Sequence, residues 1–402
     1  MDTRPLDADR ARLAALPARQ QPDWGDPWLI SKVRTTLSRM PALTEWGEIR
    51  DLSRSLAEAA AGRAQIIQAG DCAEDPAECT PEFLTRKFSL LETLGAAMHD
   101  DTGRPVIHVG RIAGQFAKPR SRPTERHGDR EIPSYRGPMV NDPRPDRRYR
   151  QPDPMRLLTC FQAASSAMAY LRYHEDRHRR PRIWTSHEVL VLDYELSALR
   201  RSYDGRLFLA STHWPWIGDR TRQLSGAHVE LLASVANPVA CKVGPTMTEA
   251  ELLALCRRLD PARTPGRLTL ISRLGADLVA DRLPHLVAAV RSSGHPVLWL
   301  CDPMHGNTIA APDGHKTRML GAIIREVTDF RTAVRSGGGV AAGLHLEATS
   351  EQVDECVTDL ALLDGVERRY TSLCDPRLNP EQAGTVIEAW TRDSLVSHER
   401  NV

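Results

Sequence analysis

The chain has no excess of charge: 53 basic against 52 acidic side chains leave a formal net charge of +1. No global field therefore draws it to nucleic acid or to an anionic membrane, and any anion it recognises must be met locally. Lysine is scarce, confined to Lys32, Lys87, Lys118, Lys242 and Lys316, so nearly all the positive charge is arginine. No stretch approaches the roughly 18 uninterrupted apolar residues of a membrane span. Residues 1–20 are rich in Arg and Asp and contain no apolar signal core, so a cytoplasmic location is expected. The eight cysteines form no CxxC pair and are widely spread, which argues against a zinc ribbon and a secreted disulfide scaffold. No fixed-period repeat suggests a solenoid or propeller. Ser336-Gly337-Gly338-Gly339 lacks the pattern of a phosphate-binding loop and suits a loop entering a strand. The basic run from Arg177 to Arg182 lacks interleaved aromatics and reads as a solvated helix end.

What is present is a chain of 402 residues, 41% hydrophobic and 26% charged, a globular composition. Short apolar runs end in polar, glycine-containing turns, and most are followed by a longer amphipathic segment. Strands are expected at 65–68, 106–109, 182–185, 207–211, 239–243, 268–272, 297–300 and 341–346. Helices are expected at 81–98, 153–173, 249–259, 277–292, 316–335 and 351–364. Eight such units predict an α/β fold, a (β/α)8 TIM barrel over residues 61–402 with an N-terminal helical arm over 1–60; a doubly wound open sheet is the alternative. Within the arm, Asp26 suits a helix cap and Pro27 the first helical position. Residues 120–150, rich in Arg, Pro and Asp, read as a long loop after the second strand. The Trp214, Pro215, Trp216 cluster reads as packing beneath a loop.

Unusual polar residues fall at the C-terminal ends of the expected strands, where a barrel gathers its catalytic groups. One set is cationic: Arg111, Lys118, Arg120, Arg220, Lys242 and Arg273. Any one arginine reads most simply as half of a surface ion pair. Six at strand ends, without evident matching acids, imply a small polyanionic ligand, phosphate or carboxylate. The second set, Cys72, His305, Glu347 and Asp375, mixes a thiol, an imidazole and two carboxylates, which suits Mn, Fe, Co or Zn better than Mg or Ca. Such a site would make Cys374 a neighbour of Cys72, and oxidation could then bridge the two thiols.

Residues 68–74 (QAGDCAE), 110–121 (GRIAGQFAKPRS), 185–188 (TSHE), 216–228 (WIGDRTRQLSGAH), 242–245 (KVGP), 302–308 (DPMHGNT) and 374–379 (CDPRLN) resemble the type II 3-deoxy-D-arabino-heptulosonate 7-phosphate (DAHP) synthases. The resemblance extends from about residue 24 to 380. It implies a (β/α)8 barrel that condenses phosphoenolpyruvate with erythrose 4-phosphate and releases phosphate, the first step of the shikimate pathway. It implies Cys72, His305, Glu347 and Asp375 as ligands of a divalent metal, Mn2+ foremost, with Co2+, Fe2+ or Zn2+ as alternatives. Arg111, Lys118, Arg220, Lys242 and Arg273 correspond to the phosphoenolpyruvate set, and Arg120 with Ser121 to the clamp on the sugar phosphate. Lys118 would donate a proton, and Glu188 or Asp219 would orient water. Two departures stand out: Pro138 follows Gly137 where the family usually carries Asp, and Asp219 stands where Glu is common. The chain is short for the family, which suggests weak feedback control and service to secondary metabolism, as in phenazine pathways. A homodimer or larger homo-oligomer is the expectation, with no nucleic-acid or membrane partner. Rival readings are a synthase for an amino or imino analogue of erythrose 4-phosphate, and a non-catalytic homologue regulating a shikimate-pathway partner.

Overall fold

The computed structural model describes residues 6–178, 180–312, 314–359, 361–363 and 369–398. Eight parallel strands close into a barrel: β1 (Gln65–Gly70), β2 (Val106–Arg111), β3 (Ile183–Glu188), β4 (Trp214–Ile217), β5 (Val239–Val243), β6 (Leu268–Ser272), β7 (Leu298–Cys301) and β8 (Val340–Glu347). Each pairs with its neighbours in sequence, and β1 with β8 completes the ring. The strands are buried on both faces because side chains fill the barrel inside and meet helices outside.

Three helices precede the barrel: α1 (Leu6–Ala14), α2 (Pro27–Arg39) and α3 (Trp46–Ala60). In α2 the Asp26 carboxylate accepts the Leu29 N–H at 2.9 Å, Pro27 opens the first turn, and Ile30, Val33 and Leu37 form the buried stripe. Leu52 and Leu56 of α3 pack against Ile66, Ile107, Trp184 and Leu298, closing the lower end of the barrel. Burying each such leucine contributes about 1.5–3 kcal/mol. The remaining helices are α4 (Pro81–Thr102), α5 (Met155–His178), α6 (Leu192–Ser197), α7 (Ala227–Ser234), α8 (Glu249–Leu259), α9 (Val279–Ser292), α10 (Leu320–Ser336) and α11 (Pro380–His398). None among the described residues is long and apolar enough to cross a membrane.

The structure corrects several expected elements. The fourth barrel strand is Trp214–Ile217, whereas Leu207–Leu209 pairs antiparallel with Leu199–Arg201 outside the barrel. Pro215 hid the true strand, because proline lacks a ladder donor and reads as a breaker. The two tryptophans are accordingly barrel residues: Trp214 is fully buried, and Trp216 forms part of the floor of the mouth. Lys316–Arg318 is a strand paired with Thr308–Ala310, and the helix starts only at Leu320. Residues 351–359 contain no α-helix; Val353, Cys356 and Val357 are buried in an irregular segment, so their apolar spacing reflects loop burial. Residues 360 and 364 of that expected helix, and Arg179 of the basic run, lie outside the described residues. The barrel's last helix is α11, after the CDPRLN segment. The 120–150 loop carries one hairpin, Thr124–His127 with Arg130–Pro133.

Candidate active site

Barrel register sets the site. Gly70 at the end of β1 lies level with Glu347 on one side and Arg111 on the other. Arg111 consequently donates to Glu347 Oε1 at 3.2 Å, and its guanidinium also reaches His345 Nε2 at 2.9 Å. Cys72 follows two residues after β1, and the segment after β8 returns Asp375 beside it. One donor atom each from Cys72, Glu347 and Asp375 lies within 4.8 Å of the others. The Lys118 ammonium sits among them, 2.6 Å from Cys72 Sγ, 3.3 Å from Glu347 Oε1 and 2.7 Å from Asp375 Oδ2. His305 Nε2 is 3.1 Å from Glu347 Oε1, while its Nδ1 is 2.8 Å from Asp302. A carboxylate on the far nitrogen is the usual way a ligating histidine is oriented. These acceptors already gather around one cation, and a soft thiol with imidazole and carboxylates fits a divalent transition metal. Cys374 shares a buried cluster with Cys72 and Tyr135.

Every expected site residue except Cys72 and Glu347 lines one cavity of about 850 Å³ at the C-terminal mouth. Those two are fully buried in its floor. Trp216 lies under two of the cations, its ring 5.7 Å from the Arg111 guanidinium and 5.0 Å from Lys242 Nζ. The cations do not lack matching acids, contrary to the strand-end reading. Lys118 meets Glu347 and Asp375, Lys242 meets Asp302, Arg273 meets Asp219, and Arg120 meets Glu125. Sequence position shows which end of a strand a residue occupies but not which partner faces it. Arg220 stands apart, donating to the Ser121 hydroxyl at 2.6 Å.

Burial would raise the Glu347 carboxyl, but His305, Lys118 and Arg318 outweigh it and hold it well below the usual range. Glu188 is different: burial dominates, and its carboxyl stays raised despite Lys118, Lys242 and Arg220 nearby. Its Oε1 has no hydrogen-bond partner among the described residues. A Cβ on Gly218 would come within 2.0 Å of that oxygen, so glycine at the end of β4 gives Glu188 its room. Asp219 is engaged by Arg222 at 2.8 Å and Arg273 at 3.2 Å, which makes it a holder of arginines.

Several residues escaped the sequence reading. Asp302 is buried between Lys242 and His305, three positions before that histidine. Arg318 is fully buried and donates to Glu347 Oε2 at 2.8 Å. Lys316 pairs with Asp375 at 2.6 Å at the cavity edge. Asp302 was visible within the DPMHGNT motif, whereas Arg318 and Lys316 carry no local signal. Glu74 is a buried carboxylate that accepts the N–H groups of Ala113, Gly114 and Gln115 at 2.7–3.0 Å, anchoring the turn between Arg111 and Lys118.

The class-II DAHP synthetase family model matches residues 8–178 and 173–387. The chain belongs to that family. A Pseudomonas fluorescens protein named "Probable phospho-2-dehydro-3-deoxyheptonate aldolase" is 54% identical over 383 residues, covering 94% of this chain and 96% of the relative. A Streptomyces coelicolor phospho-2-dehydro-3-deoxyheptonate aldolase is 38% identical over 420 residues, covering 92% of this chain and 93% of the relative. Among solved structures, the phospho-2-dehydro-3-deoxyheptonate aldolase of Francisella tularensis matches with a TM-score of 0.55 at 15% identity, over 91% of this chain and 96% of that one. At that identity the match supports the barrel fold alone. Membership of the DAHP synthetase family agrees with the resemblance carried by the seven motifs.

Proposed function

We propose that this family member condenses phosphoenolpyruvate with erythrose 4-phosphate to give DAHP and inorganic phosphate. The observation that carries the reading is the single cavity in which Arg111, Lys118, Arg220, Lys242 and Arg273 stand beside the Cys72, Glu347, Asp375 donor cluster. Arg111, Lys242 and Arg273, on separate strand ends, bind the phosphate and carboxylate of phosphoenolpyruvate, with Trp216 beneath. Arg120, Ser121 and Arg220 hold the phosphate of the aldose. Cys72, His305, Glu347 and Asp375 would hold a divalent transition metal, with Mn2+ the ion that the family resemblance favours, and as a Lewis acid it would polarise the aldehyde. C3 of phosphoenolpyruvate forms the new bond to the aldehyde carbon. The aldehyde oxygen gains the negative charge, and the Lys118 ammonium supplies its proton. Water held at the Glu188 carboxylate adds at C2 and gives that carboxylate one proton; the C2–O bond to phosphate then breaks, the hydroxyl proton leaving with the phosphate, and the ketone remains. Asp219 steadies Arg273 through this sequence.

The test is consumption of phosphoenolpyruvate by chelator-stripped protein, with and without erythrose 4-phosphate, adding Mn2+, Co2+, Zn2+ or Mg2+ back separately. Loss that needs both the aldose and a transition metal is the expected result. Consumption restored by no metal would remove the reading.

The same assay carries a pH prediction. Burial, helped by Arg111 and opposed by Asp302, pushes Lys242 down to about 8. Below that pH the ammonium is charged and ready for an anion; above it the charge is lost in the free enzyme. The kcat/KM for phosphoenolpyruvate should be level up to pH 8 and then fall about tenfold per unit. Lys242→Arg should remove this inflection, since guanidinium keeps its charge. A level profile to pH 9.5 in the parent protein contradicts Lys242 as an anion-binding group.

A further inference from the structure

The segment between α1 and α2 runs as a strap along the loops after β2, β3 and β4 at the rim of the barrel mouth. The Pro17 carbonyl accepts the Ala227 N–H at 2.9 Å, at the start of α7. The Gln21 side chain accepts the Leu192 N–H at 3.0 Å and donates to the Leu190 carbonyl at 2.9 Å, in the loop after β3. The Arg136 guanidinium, from the loop after β2, donates to the carbonyls of Gln20 and Gln21. Three separate loops of the catalytic face are thus stitched to one short piece of N-terminal chain.

Gln20 occupies the centre of the strap in an unusual state. Its φ is +63°, a conformation that non-glycine residues adopt at a cost. Its amide grips both backbone groups of one residue: Oε1 accepts the Arg120 N–H at 2.9 Å, and Nε2 donates to the Arg120 carbonyl at 3.1 Å. That reciprocal pair is what an adjacent strand would offer. Arg120 needs it, because residues 117–123 belong to no helix or strand. With the backbone held there, Ser121 Oγ meets Arg220 at 2.6 Å and the Arg120 guanidinium reaches Glu125 at 2.8 Å.

We propose that Gln20 is a positioning residue for the sugar-phosphate site, acting through the backbone of Arg120 to aim Arg120 and Ser121 at the phosphate. This rests on the reading above that Arg120, Ser121 and Arg220 cradle the phosphate of erythrose 4-phosphate. The strap makes the N-terminal arm part of the catalytic face, and it ties aldose binding to a segment about 100 residues away in sequence.

Gln20→Gly is the informative variant, since glycine adopts φ +63° without strain while the side chain and its amide are removed. Its KM for erythrose 4-phosphate should rise about tenfold, the effect of losing two neutral hydrogen bonds, with KM for phosphoenolpyruvate, kcat and the thermal midpoint little changed. Gln20→Glu should show a larger rise in the same constant, because a carboxylate faces the Arg120 carbonyl and repels the phosphate. An erythrose 4-phosphate KM in Gln20→Gly within about twofold of the parent overturns the proposal. So do equal rises in both Michaelis constants, which signal a merely structural role. Calorimetric titration of inorganic phosphate into chelator-treated parent and Gln20→Gly proteins, with phosphoenolpyruvate present to fill the Arg111, Lys242 and Arg273 set, separates this inference from the proposed reaction, because it needs no turnover. Weaker phosphate binding in the variant supports the clamp even in a protein that fails the condensation assay, and unchanged binding refutes it.

Discussion

Replacing Lys118 by Met lowers turnover by about 10³, within the range expected for losing a positioned proton donor. Methionine nearly matches the length and volume of the lysine stem but carries neither charge nor proton. The ammonium now touches Cys72, Glu347 and Asp375, so its removal leaves these donors free for a metal ion. Metal affinity should therefore hold or rise in Lys118→Met while turnover collapses. KM for phosphoenolpyruvate should also rise, since a cation has left its site. Metal titration by calorimetry together with single-turnover kinetics checks both halves. Turnover within tenfold of the parent would refute the assignment of Lys118 as the proton donor.

The second large effect is on stability. Arg318 is fully buried, with its guanidinium on Glu347 Oε2, the Pro376 carbonyl and the Thr308 hydroxyl. Arg318→Leu keeps bulk but leaves a buried carboxylate oxygen and a buried carbonyl without those donors. Breaking a buried ion pair from one side costs about 3–5 kcal/mol. The denaturation midpoint of Arg318→Leu in chelator should drop accordingly, and metal binding should weaken because Glu347 is no longer held against one wall. Arg318→Lys should recover only part of both, since an ammonium cannot span three acceptors with the planar fork of arginine. A midpoint equal to that of the parent would show that Arg111, Lys118 and His305 suffice to compensate Glu347.

These two residues differ in how visible they were. Lys118 stands in GRIAGQFAKPRS, one of five lysines in the chain, at the end of an apolar run. Arg318 lies in a stretch that reads as the first turn of a helix, and only its pairing across the barrel mouth reveals its role. The same division runs through the fold. β1, β2, β5 and β6 are short, largely apolar runs closed by polar turns, and that composition declares them. β4 carries Pro215, which masks it, while Leu207–Leu209 has the better strand composition but pairs in a hairpin outside the barrel. The apolar spacing of Val353, Cys356 and Val357 mimics a helix because a buried loop also needs apolar side chains.

By itself the sequence determined the barrel class, the family and which polar residues stand at the strand ends, because hydrophobic period and motif composition are local properties. Tertiary structure alone decided who faces whom. Lys242 meets Asp302 across 60 residues, Arg318 meets Glu347 across 29, and Gln20 grips Arg120 across 100. Such pairings depend on the register in which eight strands close and on the path of loops between them, and no local pattern records either.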